Sequence, residues 1–184
     1  MKYELLEKEI KYEGHQLSPH WIYKNFKIQG DAIVGFVGEC EVQLTEMVDI
    51  EDVINNEPIY SKNMLSFITE QFNVDLIEGV FRQRLLICVI KEALERRGIK
   101  VVRSGDDLFV DDKKLTVSIA TKSLTSVLIH TGINIDSTGA PVRACGLQND
   151  LAINDVNDFA IEIMKKYSEE LDDIIMASTK VRGV

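Results

Sequence analysis

The densest group of reactive side chains lies in RSGDDLFVDDKKL, Arg103 to Leu115, followed about fifteen residues later by HTGINI, His130 to Ile135. Folded as neighbouring strands, these segments bring Asp106 or Asp107, Lys114 and Asn134 to one cavity. A lysine set against an acyl or phosphate oxygen stabilises the negative charge that develops there, while carboxylates and an amide orient the ligand. In that reading Lys114 and Asp107 do the chemistry, and Asp106 and Asn134 bind. The competing reading is a solvated hairpin, because charges in a DDKK turn are ordinarily exposed, with Asp106 a turn residue that caps a strand.

Other groups offer less specific chemistry. His20 follows a proline on a short helix and either binds a ligand oxyanion or packs, whereas His130 reads as an inward, hydrogen-bonded core histidine. The histidines show neither HExxH nor HxxxH spacing, so no metal is expected from them. The acids Glu39, Glu41, Asp49, Glu51 and Asp52 are either solvated or, if they converge, a divalent-cation site. Arg82 and Arg84 are two residues apart and cannot share a helix face, so at most one of them reaches a pocket. Cys145 sits beside Arg143, which would lower a thiol pKa, but no partner histidine is located.

The elements that must position these groups are partly legible. Leu5–Tyr12 is compatible with an edge strand, and Ser18-Pro19 with an N-cap and first turn opening a short helix. AIVGFVGECEVQL reads as a strand whose Gly35 and Gly38 mark a bulge, a close approach or a ligand-binding pocket wall. VDIEDVINNEP is a loop or one helical turn, and IYSKNMLSFITEQF a strand or a helix. Asp75-Leu-Ile-Glu78 is a capping-box variant that opens a long helix ending at Arg96-Arg97-Gly98. Its apolar Ile77, Val80, Phe81, Leu85, Cys88 and Val89 are expected to pack on a sheet. Short strands IKVVR, DLFV, KLTVSIA and SVLIHTGINI follow, with Asp111 to Lys114 as a hairpin turn, and a last helix starts near Asn154 as its cap. The order predicts an α+β class, a mostly antiparallel sheet with helices on one face, in one domain over residues 1–184.

Composition narrows the partners. The chain has 184 residues, 45% hydrophobic and 28% charged, with three prolines, which suits an ordinary folded core and argues against disorder. Against 30 acidic residues stand 21 lysines and arginines, a net charge of −9, so bulk nucleic-acid binding is not expected. Three scattered cysteines without CxxC argue against a disulfide framework or zinc site, and no apolar run is long enough to span a membrane. The charged N-terminus resembles no targeting peptide, and a cytoplasmic location is expected.

Arg103–Leu115 resembles the biotin protein ligases, whose K-W-P-N-D-L-x-x-x-D-R-K-L pattern it matches without a gap. Arg103 falls on the first lysine of that pattern, Asp106 on the asparagine and Asp107 on the aspartate. Asp112 falls on the second aspartate, Lys114 on the lysine that contacts the acyl-adenylate, and Gly132-Ile133-Asn134 on a later G-I-N. Lipoate protein ligases share a similar arrangement. The resemblance implies the biotin/lipoate protein ligase fold, related to class II aminoacyl-tRNA synthetases. It also implies ligand contacts at Arg103, Gly132 and Asn134, ATP with Mg as cofactor, a small carboxylate or nucleotide as partner, and a homodimer as a possible assembly. Departures from the pattern are Ser104-Gly105 for Trp-Pro and Val117 for a glycine. GFVGEC, Gly35 to Cys40, with its Glu39, stands where those ligases carry a glycine- and arginine-rich phosphate loop. LSPHWIY, GDAIVGFVGECEV, MVDIED and FRQRL are similar to a family of archaeal and bacterial conserved proteins without assigned function that stands beside these ligases in fold. The implied activity is acyl activation or transfer; the other reading is a binding module that has lost adenylation.

Overall fold

A computed structural model describes residues 1–183. Five strands form the main sheet: β1 (Lys2–Leu5), β2 (Ala32–Val42), β3 (Ile59–Phe72), β8 (Ser126–Asp136) and β7 (Thr116–Lys122), in the spatial order β1-β2-β3-β8-β7. All neighbours are antiparallel except β1 and β2, which pair in parallel. A small sheet holds β4 (Val102–Ser104), β5 (Asp107–Val110) and β6 (Lys113–Lys114). The helices are α1 (Trp21–Phe26), α2 (Ile50–Asn55), α3 (Leu76–Arg96) and α4 (Val156–Thr179).

Both faces of β2, β3 and β8 are largely buried, so their sequences do not alternate between apolar and polar, and several polar residues of β3 and β8 are buried as well. On one face, Ile33, Leu65, Phe67, Ile133 and Ile135 pack against α3 and α4. The opposite face carries Val34, Phe36, Met64, Ile68 and Leu128 under Tyr12, Leu17 and Ile22. That second face is covered by the segment between β1 and β2, including α1, so helices are not confined to one side.

The N-cap half of the expected capping box forms, with the Asp75 side chain accepting from the Glu78 N–H at 2.8 Å, while the Glu78 carboxylate pairs with Arg82. The packed face of α3 differs from the expected one. Ile77 and Phe81 are each 71% exposed, whereas the expected Val89 is buried together with Gly79, Gln83, Leu86, Ile87, Ile90, Ala93 and Leu94. Spaced three or four apart, these share one stripe, and the apolar start of the helix lies off it. The first helix begins at Trp21 after His20 in a left-handed conformation, not after Ser18. The last begins at Val156 after Asp155, with no side-chain cap. Of Leu5–Tyr12, Leu5 alone is regular strand, although Leu6, Ile10 and Tyr12 donate backbone bonds to β2 further along.

Candidate functional site

A cavity of about 230 Å³ opens on the sheet face opposite α3 and α4, where β8 presents His130 and Asn134 and the β6 residue Lys114 reaches in with Asp106, Asp107 and Val117. The backbone of Lys114 is fixed on every side. Its N–H donates to the Arg143 carbonyl at 2.9 Å, its carbonyl accepts from Cys145 at 3.0 Å, and the Asn134 amide approaches the same carbonyl at 3.5 Å. The two-residue hairpin beneath it has Asp111 and Asp112 at φ 48° and 60°, the left-handed pair that a tight antiparallel turn demands. Strand alternation then divides the lysines. Lys113 turns outward to Asp150, and Lys114 meets Asp107 at 2.9 Å.

Burial is the main force on Asp107 and raises its pKa above the ordinary carboxylate value, with the Lys114 ammonium opposing it. Asp106 is fully engaged: one oxygen lies 3.2 Å from the Arg84 guanidinium, and the other accepts from Gln83 at 2.8 Å. Gln83 also donates to Ser118 at 3.0 Å. His130 is 3% exposed, stacks on Tyr12 at 3.7 Å and lies 3.3 Å from the Ser66 hydroxyl. Burial drives its pKa down to about 3, so it is a neutral ring at pH 7.

The connection between β2 and β3, residues 43–58, contributes Glu46, Asp49, Asp52 and Glu57 to the cavity and contains no lysine or arginine. Asp49 caps α2, accepting from the Glu51 N–H at 2.8 Å. α2 is inverted relative to an ordinary surface helix, with Asp52 on the cavity and Ile50 and Ile54 73% and 76% exposed. The Asp52 carboxyl is raised by partial burial and then by the charge of Asp49, with Lys114 acting against both.

Asp106, Asp107, Lys114 and Asn134 therefore line one cavity. The remaining expected ligand contacts lie elsewhere. Arg103 is exposed and folds back onto the Gly105 carbonyl at 2.5 Å. His20 sits by Glu70 and Phe72, toward the far end of β3 from Met64. Gly35 faces Met164 on α4, and Gly38 is closely approached by the Ile10 backbone, beside a register shift between Gly38 and Cys40. Neither glycine forms a pocket wall; of the readings open to them, close approach and a bulge are what the strand contains. Gly132 lies between His130 and Asn134 under the Met64 side chain, which fills its space. Cys145 is buried and its thiol is pushed up to about 11, mainly by burial, so Arg143 does not activate it.

Sequence reasoning missed Gln83 and Tyr12. The signal for Gln83 is a lone polar residue in register with Leu86, Ile87 and Ile90; Tyr12 lies in an irregular segment that gives no such signal.

The residues present do not fit ATP. Lys114 is the one lysine or arginine among the lining residues, against six carboxylates, so a triphosphate would meet a surplus of like charge. Among the described residues no group of three or more His, Cys, Asp or Glu side chains is placed to hold a metal that would offset it. The cavity also falls short of the roughly 300–1,000 Å³ of drug-sized ligand pockets. GFVGEC is the interior of β2, and its Glu39 pairs with Lys11 at 3.2 Å, so it offers no phosphate loop. Among the described residues no helix is long and apolar enough to cross a membrane.

Comparison with known proteins agrees with this architecture. The chain is 42% identical over 171 residues to the uncharacterized protein MJ0805 of Methanocaldococcus jannaschii, covering 90% of this chain and 77% of that one. It is similar to a solved protein of unknown function from Pyrococcus horikoshi at 39% identity and a TM-score of 0.92, with both chains covered fully. Likeness of fold extends to lipoate and biotin protein ligases. The biotin protein ligase of Aquifex aeolicus in complex with biotin and ATP matches with a TM-score of 0.61 at 16% identity, over 93% of this chain and 70% of that one. The family model described as a domain of unknown function, DUF366, matches residues 1–182, and the chain belongs to that family, on a fold it shares with the biotin and lipoate protein ligases.

Proposed function

We propose that the cavity binds a small carboxylic acid, with the ligand carboxylate held by the Lys114 ammonium. The observation that carries this reading is the fixed position of Lys114 beside Asp107 inside a partly open cavity with both polar and apolar walls. An ammonium has three donors, so the bond to Asp107 leaves two for a ligand oxygen. Asp107 holds the lysine in place, Asn134 adds a polar contact, and Met64, Pro58, Ile59 and Val117 receive the acid's apolar body. Structures that share the fold contain lipoic acid or biotin, which supports a small acid as the ligand class.

The misfit of the cavity to a triphosphate favours binding without adenylation. The reading as an acyl-activating ligase draws on the motif positions of Asp107 and Lys114. It predicts pyrophosphate release from ATP in the presence of an acid, lost in Lys114→Ala; we expect none. Binding is tested by thermal shift with short and medium-chain carboxylates, since a ligand at about a hundred times its Kd adds about 2.7 kcal/mol to stability. The expected result is a raised Tm that Lys114→Met abolishes. The exposed portion of the Lys114–Asp107 pair limits the variant's own stability loss to about 1 kcal/mol, so lost binding is separable from unfolding. A full panel without any shift, or an undiminished shift in Lys114→Met, overturns the reading.

A further inference from the structure

The hydrogen-bonding capacity left open around the cavity is strongly one-sided. Lys114 supplies spare donors, while the open carboxylates and amide oxygen around it accept. Glu46, Asp52 and Glu57 have no cationic partner among the described residues, and their carboxylates accept no hydrogen bond there. The Asn134 side chain, 6% exposed, uses its amide N–H toward the Lys114 carbonyl and leaves its Oδ1 open. Tyr12 is 3% exposed and lines the cavity, and its hydroxyl has no hydrogen-bond partner among the described residues. A phenol hydroxyl can accept from a group in that space as well as donate to one.

A simple carboxylic acid satisfies Lys114 and leaves the carboxylates of Glu46, Asp52 and Glu57 unmet. A group rich in N–H donors and positively charged would satisfy them, and would also relieve the mutual repulsion of Asp49 and Asp52. Cation and anion must occupy opposite ends of the same molecule, since Lys114 claims one and the 43–58 connection the other.

Building on the carboxylate reading above, we propose that the ligand is a short amino-carboxylate: its carboxylate lies on Lys114, and its ammonium is received by Asp52 and the neighbouring acids of the 43–58 connection. The apolar wall between Met64 and Val117 accommodates the carbon chain that separates the two charges. Selection then works by charge at both ends. Dianions and nucleotides are repelled at the mouth, and plain amines are repelled by Lys114.

The test is isothermal titration of the whole chain with ω-amino acids of graded length, each beside its matched plain carboxylate and plain amine. One amino acid should bind at least tenfold more tightly than both of its counterparts. Asp52→Asn should remove that advantage and bring the amino acid to the level of the plain acid, without weakening the plain acid itself; Glu57→Gln repeats the test at a second mouth position. A plain acid that binds as well as or better than its amino counterpart overturns this inference and leaves the Lys114 reading standing. A plain amine that binds as tightly as the amino acid, with Lys114→Met without effect, overturns the carboxylate reading while the acidic mouth still selects a cation. Failure of every compound to bind overturns both.

Discussion

At the scale of single residues, His130 has the most direct consequence for stability. Its ring is buried against Tyr12 and stays neutral in the fold down to about pH 3, whereas an unfolded histidine takes up a proton near pH 6.5. Below 6.5 the unfolded chain therefore binds a proton that the folded chain refuses. The stabilisation is complete above pH 6.5 and declines as pH falls, at about 1.4 kcal/mol per pH unit. Urea unfolding at pH 6.5 and pH 5.0 should differ by about 2 kcal/mol, and His130→Gln should flatten most of that difference. The grouping of the site residues was partly legible at this scale: Asp107 and Lys114 lie on adjacent strands of the small sheet, and Asn134 comes to the same cavity from β8 of the main sheet. Arg103 was not, because a residue's direction on a short exposed strand depends on register with its neighbours, and here it turns onto Gly105. Arg84, the cation that does reach Asp106, comes from α3, the helix that precedes the small sheet.

At the scale of elements, the glycines of β2 give a graded comparison. A Cβ at Gly38 would run into the Ile10 carbonyl, which the edge segment cannot move without giving up its bonds to Val37 and Glu39. At Gly35 the nearest neighbours are the Met164 thioether and the ends of Leu5 and Phe67, at 3.2–3.3 Å, where small side-chain shifts suffice. Gly38→Ala should cost about 1–3 kcal/mol and Gly35→Ala less than about 1, compared by denaturant midpoint. Most strands and both long helices were readable from turn residues and apolar runs, although β3 was open between strand and helix and α4 has no side-chain cap. The packed stripe of α3 was not readable, because Ile77 and Phe81 satisfy the same hydrophobic criterion as the true face but lie off the stripe that Gly79, Gln83 and Leu86 present. Gly79 marks the real contact, lying against Val127 where a larger side chain would not fit.

For the molecule as a whole, the small sheet has no separate core. Leu108, Val110 and Leu115 belong to the same buried cluster as Leu86 and Ile90 of α3 and Phe159 of α4. We propose that the chain unfolds as one unit, with calorimetric and van't Hoff enthalpies in a ratio near one; two resolved transitions would separate the small sheet from the rest. The net charge of −9 argued against bulk nucleic-acid binding from composition alone, but the concentration of acids on one connection did not follow from composition, since it depends on where 43–58 crosses the sheet. That crossing has a further consequence. The mouth acids all sit on a surface excursion between two strands whose pairing does not depend on them, so the segment is a natural graft. Exchanging it with the equivalent stretch from a differently charged homologue would rewrite ligand preference while leaving the scaffold intact, which gives this architecture a simple route to diversify.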